Sequence, residues 1–284
     1  MRKSLGLLSL CILSAAIASY VTWIQICPNE HYLPDLRSKL VLNQGQPGDK
    51  GNLLGIQPEL FAADYQSPER LRLKFAAYLN KARIEGLLNS KTIVVLPEHT
   101  GTWLVASGEK SEVYQAASVS DAMLWLAAGN PLQLAYALLN AQGQDRLADA
   151  LFRMKAEQMA HDYQAIFGSL AKEYGVTLVA GSIVLPAPTV KNGVLQVSDG
   201  PLYNVSQVFA SDGTALGQPQ RKVVPIIDEQ GFTAASPASA LKVVDTPAGR
   251  LGVLICADSW FPENYAALAR QHVDLLAVPA FLTG

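Results

Sequence analysis

Residues 252–263 read GVLICADSWFPE. An apolar run from Gly252 to Ile255 ends on a lone cysteine, Cys256, and gives way to a polar turn carrying Asp258 and Pro262. A short, unbroken apolar run is the pattern of a buried strand, and Cys256 stands where that strand runs out. Free cysteine is among the most often buried residue types, so a core thiol is its default reading. The alternative is a nucleophile, which needs partners elsewhere in the chain. One must take the thiol proton and another must hold developing negative charge.

The flanking sequence alternates between strand and helix patterns. LKVVDTPAGRLGVLIC (241–256) reads as a hairpin turning at 247–249, followed by a helix opening at ENYAALARQ (263–271) and a strand, VDLLAVPAF (273–281). Upstream, LYNVSQVFASDGTALGQ (202–218) reads as a hairpin with Asp212-Gly213 as its turn. TLVAGSIVLP (177–186) is a buried strand, preceded by a long amphipathic helix over 146–175 that Gly175 closes. TIVVLP (92–97) is a further buried strand, after a helix over 68–88 with Pro68 at its start and Leu71, Phe75, Leu79 and Ala82 on one face. LLGIQPEL (53–60) reads as the first strand, stopped by Pro58. Such alternation builds layered α/β sheets. Asn204-Val205-Ser206 matches a glycosylation sequon, but it falls inside an expected strand and reads as a chance match.

The chain has 284 residues, 50% of them hydrophobic, and a formal net charge of -2. That favours one globular domain, and the absence of any Lys/Arg-rich run argues against nucleic-acid binding. His31, His99, His161 and His272 lie far apart and no CxxC occurs, so no metal site is expected.

The amino terminus departs from the globular pattern. Arg2 and Lys3 precede LGLLSLCILSAAIASYVTWIQI, 22 residues (5–26) without a charge. As a helix this stretch reaches about 33 Å, enough for a hydrocarbon core of about 30 Å. A signal anchor over 1–27 is the first reading, and the basic pair before it places the remainder outside the cytoplasm, with a single pass. Ala16-Ile17-Ala18 also fits a cleavage site, which would leave a secreted or periplasmic protein. Residues 28–50, rich in Pro and Gly, form a linker. Cys27 and Cys256 would share an oxidising compartment, where a disulfide between them is an open alternative.

Glu98 directly follows TIVVLP, and Lys222 follows the 202–218 hairpin in GQPQRKVVP. With Cys256 they form a chemically complete set: a carboxylate to take and return a proton, an ammonium to hold negative charge, and a thiol to attack. At these residues the chain resembles the nitrilase, or carbon–nitrogen hydrolase, superfamily. The matching stretches are VVLPEHTGTW (94–103), LYNVSQVFASDGTALGQPQRK (202–222) and GRLGVLICADSWFPE (249–263), with GNLLGIQPEL (51–60) matching the opening strand.

The resemblance implies an αββα sandwich over residues 51–284 that lacks the family's C-terminal part, and a Glu98–Lys222–Cys256 triad. It further implies an oxyanion contact from the Ala257 N–H, and a second substrate-side carboxylate at Glu229, with Asp228 as the next candidate. It implies no cofactor, and cleavage of a small amide or nitrile through a cysteine thioester. A lipid-linked substrate fits the apolar amino terminus, and a homo-oligomer is compatible with the family. Two alternatives stand beside hydrolysis: transfer of the acyl group to an amine, as in apolipoprotein N-acyltransferases, and an inert binding module of the same fold. Between Glu98 and the long helix lies an apolar insertion over about 105–145, which reads as two short helices parted at Gly129-Asn130-Pro131. It is expected to pack on the sandwich or to act as a lid.

Overall fold

A computed structural model describes residues 2–25, 32–46 and 48–281. Helix α1 (Arg2–Gln25) is followed by an irregular approach to strand β1 (Asn52–Gly55). Helix α2 (Pro68–Ile84) begins where Ser67 accepts the Arg70 N–H and Pro68 presets the first turn. Strand β2 (Thr92–Val95) precedes helices α3 (Ser111–Gln115), α4 (Val119–Gly129) and α5 (Pro131–Asn140). The long α6 (Arg146–Tyr174) is capped by Asp145 and closed by Gly175 at φ 64°. Strands β3 (Thr177–Val179) and β4 (Ile183–Pro186) lead to a small hairpin, β5 (Thr189–Lys191) and β6 (Val194–Gln196), which the sequence reading did not anticipate. Strands β7 (Leu202–Phe209) and β8 (Ala215–Arg221) form the expected hairpin. Strands β9 (Val243–Thr246) and β10 (Gly249–Val253), helix α7 (Pro262–Ala269) and strand β11 (Leu275–Ala277) complete the described chain.

These elements stack as α–β–β–α. Strands β1, β2 and β3 run parallel, β7 joins β3 antiparallel, and β8 and β4 pair with β7. Leu71, Phe75, Tyr163, Phe167 and Leu170 of α2 and α6 bury against one face of this sheet. Its other face meets the second sheet, where β10 lies between β9 and β11: Ile93, Val179 and Val208 pack on Leu251, Val253 and Ala277. Leu268 of α7, with Leu241 and Leu254, covers the outer side of that second sheet. The expected sandwich is therefore present, with its core built from alternate residues of short buried strands.

The strand expected over 177–186 is one ladder with an interruption. Val179 pairs with Val208 and Ile183 with Val205, so the segment advances by four residues while β7 advances by three. The extra residue is a bulge at 180–182. Gly181 adopts φ +66°, and a Cβ there would meet the Pro97 carbonyl oxygen at 2.0 Å. The bulge thus makes room for the turn that carries Glu98. Ser182 holds that turn, its carbonyl accepting the Gly101 N–H at 2.8 Å and its Oγ accepting the His99 N–H at 2.8 Å.

Strand β10 stops short of the cysteine, but its hydrogen bonding does not. Leu254 N–H donates to the Ala277 carbonyl at 3.0 Å and Cys256 N–H to the Pro279 carbonyl at 2.8 Å. Cys256 is therefore tied to the sheet while its own backbone turns to φ 48°.

Gly181→Ala places a side chain at positive φ and against backbone, which predicts a loss of more than about 2 kcal/mol in unfolding free energy. Gly175→Ala shares the positive φ but meets nothing within 4 Å, so it costs only about 1 kcal/mol. Thermal unfolding of the two variants measures the difference.

Candidate active site

Strand ends of the first sheet and a turn of the second converge on one buried cluster. Glu98 leaves β2, Lys222 leaves β8 and Cys256 leaves the β10 ladder. Glu229 comes from a turn over 226–233 that folds back on Lys222, its own N–H donating to the Ile226 carbonyl at 2.9 Å. All four are buried: Lys222 is 0% exposed, Glu98 and Glu229 3%, and Cys256 7%. Charges are rarely so enclosed unless paired.

Here they are paired. Lys222 Nζ lies 2.7 Å from Glu98 Oε1 and 2.5 Å from Glu229 Oε2. Asn204 Nδ2, from β7, donates to Glu98 Oε1 at 3.0 Å and to Glu229 Oε1 at 2.6 Å. The Ile226 N–H donates to Glu229 Oε2 at 3.0 Å. Burial disfavours the Lys222 ammonium, but its hydrogen bonds and charge contacts with Glu229 and Glu98 outweigh this and hold its pKa above the ordinary lysine value. Burial pushes the Glu229 carboxyl up, and the Lys222 contacts with the Ile226 N–H bring it net below the usual carboxylate range.

The Cys256 thiol is raised above its ordinary value, first by burial and then by the charge of Glu98, to which it hydrogen-bonds. It rests as a neutral thiol beside a carboxylate. Its turn is a short 3-10 helix, Cys256–Trp260, whose first N–H groups, including that of Ala257, have no acceptor within the helix. Asp258, wholly buried, accepts from the Ile255 N–H at 3.1 Å and from the Val223 and Val224 N–H groups at 2.9 and 2.8 Å. One carboxylate thereby clamps the cysteine turn to the residues just after Lys222.

His99 completes the cluster at the solvent side. Its φ is 61°, its Nδ1 lies 3.1 Å from Thr102 Oγ1, and its Nε2 lies 3.5 Å from Glu229 Oε1 and 3.9 Å from Glu98 Oε1. Burial lowers its pKa against the opposing pull of the carboxylates, so the ring is neutral at pH 7. Ligand atoms of Glu98, His99 and Glu229 lie within 4.8 Å of one another. The Lys222 ammonium already sits on both carboxylates, so a metal cation there would face a buried like charge. The donor set suits proton transfer better than metal binding.

A cavity of about 820 Å³ opens onto Glu98 and His99. Its walls are largely apolar, with Phe61, Trp103, Val113, Val119 and Phe281 among them. Cys256 meets it across residues 279–281: Pro279 accepts the cysteine N–H, the Phe281 carbonyl lies 3.9 Å from Sγ, and the Phe281 ring lines the cavity. The cavity has the features of a ligand seat, concave and mostly apolar with convergent polar groups at one end.

The structure brings together Glu98, Lys222, Cys256 and Glu229, with Ala257 in the cysteine turn. Asp228, the next candidate, is exposed and makes no hydrogen bond or ion pair with the cluster among the described residues. Cys27 lies outside the described residues, and Cys256 carries a free thiol. Three partners escaped the sequence reading. Asn204 looked like a chance sequon, yet it is 1% exposed and holds both carboxylates. A polar side chain on an otherwise buried strand was its signal. His99 adjoined Glu98, and Asp258 lay two residues after the cysteine.

Parts of the chain resemble known carbon–nitrogen hydrolases. The carbon-nitrogen hydrolase family model matches residues 147–283, which include Lys222, Glu229 and Cys256 and leave out Glu98. Omega-amidase NIT2-A of Xenopus laevis is 31% identical over 130 residues, covering 44% of this chain and 43% of its own length. Hydrolase C26A3.11 of Schizosaccharomyces pombe is 32% identical over 129 residues, covering 43% and 36%. N-carbamoylputrescine amidase of Solanum tuberosum is 28% identical over 135 residues, covering 46% and 40%. The matched region thus spans less than half the length of each of these relatives. The crystal structure of a carbon-nitrogen hydrolase from Helicobacter pylori G27 superposes over 82% of this chain and 60% of its own, with TM-score 0.51 and 17% identity, a likeness of fold. The chain is thus similar to carbon–nitrogen hydrolases over residues 147–283 and shares the fold of a solved carbon-nitrogen hydrolase.

Proposed function

We propose that this protein is an amidase-type carbon–nitrogen hydrolase that works through a Cys256 thioester. The observation that carries the reading is the meeting of a neutral, strained thiol with a buried carboxylate that is itself held by a buried ammonium. In the proposed reaction Glu98 takes the thiol proton as Sγ attacks the carbonyl carbon of an amide. Negative charge on the carbonyl oxygen is held by Lys222 and the Ala257 N–H. As the tetrahedral species collapses, Glu98 passes the proton to the leaving nitrogen, the C–N bond breaks and an amine or ammonia departs. Water then enters, Glu98 takes its proton, and the thioester carbon gains the hydroxyl. Collapse returns the thiol and releases the carboxylic acid. Glu229, Asn204 and His99 position Glu98 and Lys222 at the cavity. The relatives named omega-amidase and N-carbamoylputrescine amidase support amides over nitriles.

Helix α1 supports a membrane location. Its residues 8–25 are apolar enough to cross a bilayer, and no residue of that stretch is fully buried. We read α1 as an anchor, with the cavity-bearing domain outside the membrane. A cleaved signal segment is the second reading, supported by the same apolar composition near the amino terminus. Mass measurement of the protein isolated from membranes separates the two.

Trapping tests the chemistry. Incubation with a short aliphatic amide and hydroxylamine is expected to yield the hydroxamate, and intact-mass analysis to find the acyl group on Cys256. Cys256→Ser should lower turnover at least about a thousandfold while leaving the fold unchanged. Turnover equal to that of the parent would end the thioester reading. A primary amine that diverted the acyl group from water would favour the transferase alternative.

The raised thiol pKa gives a second test. Alkylation of Cys256 by iodoacetamide should accelerate only as pH passes above the ordinary thiol value of about 8.5. Glu98→Gln removes the negative charge that raises it. The variant's alkylation profile should therefore move to lower pH even as turnover is lost, whereas a merely structural Glu98 would leave the profile in place.

A further inference from the structure

The insertion between Glu98 and α6 is only partly absorbed by the sandwich. Leu126 of α4 and Ala137 of α5 are buried, and Ala137 packs with Ala150 of α6. Other large apolar side chains turn outward. On α5, Leu132, Tyr136 and Leu139 are 85, 73 and 81% exposed. Their i, i+4, i+7 spacing puts them on one helical face. On α4, Val119, Leu124 and Trp125 are exposed as well. Neither helix carries a charge except Asp121. A contiguous apolar face of this kind marks a contact with something outside the domain.

What it meets is indicated by α1. Tyr20 Oη donates to the Ala128 carbonyl at 2.6 Å, and Trp23 Nε1 donates to Glu112 Oε1 at 2.8 Å. The Trp23 ring lies 5.9 Å from Tyr20 and 6.1 Å from Trp125. The Lys110 ammonium hydrogen-bonds the Ile24 carbonyl and stands over the Trp23 ring at 5.8 Å. Tyr and Trp gather where a membrane span emerges, with their apolar bodies in lipid and their polar tips in water. This aromatic cluster joins the end of the apolar helix to α3 and α4.

We propose that the α4–α5 hairpin is a membrane-surface contact, seating Leu124, Leu132, Tyr136 and Leu139 in the interface of the bilayer that α1 crosses. The proposal rests on the reading of α1 as an uncleaved anchor. The helices have 11 and 10 residues and are bent by 106° at their break. At about 15 Å each they are too short to span about 30 Å of hydrocarbon, so they lie on the membrane. Val119 and Ala122 of α4 also line the cavity. The contact therefore holds one cavity wall against the lipid surface, where amides with an apolar chain partition.

The test uses the full chain with its cysteines replaced by serine, reconstituted into phosphatidylcholine vesicles and carrying one fluorescent label at position 13, 132, 139 or 212. Lipids bearing a nitroxide should quench the label at 132 and 139 at least about threefold more than at the exposed turn residue Asp212, and the label at 13 more strongly still. Quenching at 13 with none above the 212 level at 132 and 139 would overturn the proposal and leave the anchor standing. A label at 13 that lipid fails to quench would overturn both. Protection at 132 and 139 from lipid-borne and aqueous quenchers alike would mean that protein covers this face, and would also overturn the proposal.

Discussion

The buried ammonium of Lys222 is the point on which the site depends. Two carboxylates, Glu98 and Glu229, are each 3% exposed, and burial disfavours an ionised carboxylate that lacks a partner. Lys222 bridges them from the end of β8, and Asn204 bridges them again from β7. The result is a cross-brace among β2, β7, β8 and the 226–233 turn. Removing Lys222 leaves buried carboxylate charge uncompensated, which costs about 3–5 kcal/mol. The same contacts that permit ionised groups in the interior thus hold the strand ends in register.

The backbone around this brace is bent to suit it. His99 and Cys256 are non-glycine residues with left-handed φ, at 61° and 48°, and both belong to the cluster. Such conformations cost of order 1–3 kcal/mol and persist where surrounding bonds over-determine them. For His99 the constraint is the Ser182 hydroxyl beside the Gly181 bulge. For Cys256 it is the Pro279 carbonyl on one side and the Asp258 clamp on the other. At these two residues the strain falls where side chains leave the sheet and face one another, while Ala187, Asn192 and His272 adopt positive φ elsewhere.

Much of this was legible in the sequence because strand ends advertise themselves. Glu98 and Cys256 stand at the ends of apolar runs and Lys222 follows an expected hairpin; singly each has an ordinary structural explanation, and together they make a chemically complete set. The layered fold followed from the same alternation of short apolar runs and amphipathic helices. Less legible was whatever depends on pairing across the sheet. The bulge inside 177–186 is invisible to period counting, since its effect appears only in the register against β7. Asn204 hid for a related reason: its partners are 106 and 25 residues away in the chain. The insertion was legible as apolar helices, but which side chains face α6 and which face outward is decided by packing.

The charge of the cluster suits a reaction in which a thiol waits unionised until substrate arrives, as proposed above. At rest Lys222 contributes one positive charge and Glu98 and Glu229 one negative charge each, a sum of -1, with His99 and Cys256 neutral. In the proposed attack the thiol proton moves to Glu98, which becomes neutral, and the new negative charge appears on the substrate oxygen. The sum is still -1. No net charge is created or moved to bulk water in a region of low dielectric, where doing so would be expensive. Lys222 simply exchanges one anionic neighbour for another, and Glu229 keeps it charged throughout. A free thiolate beside Glu98 would instead raise the sum to -2 before any substrate had arrived. The raised thiol pKa is therefore a consequence of the same arrangement that makes the attack electrostatically neutral.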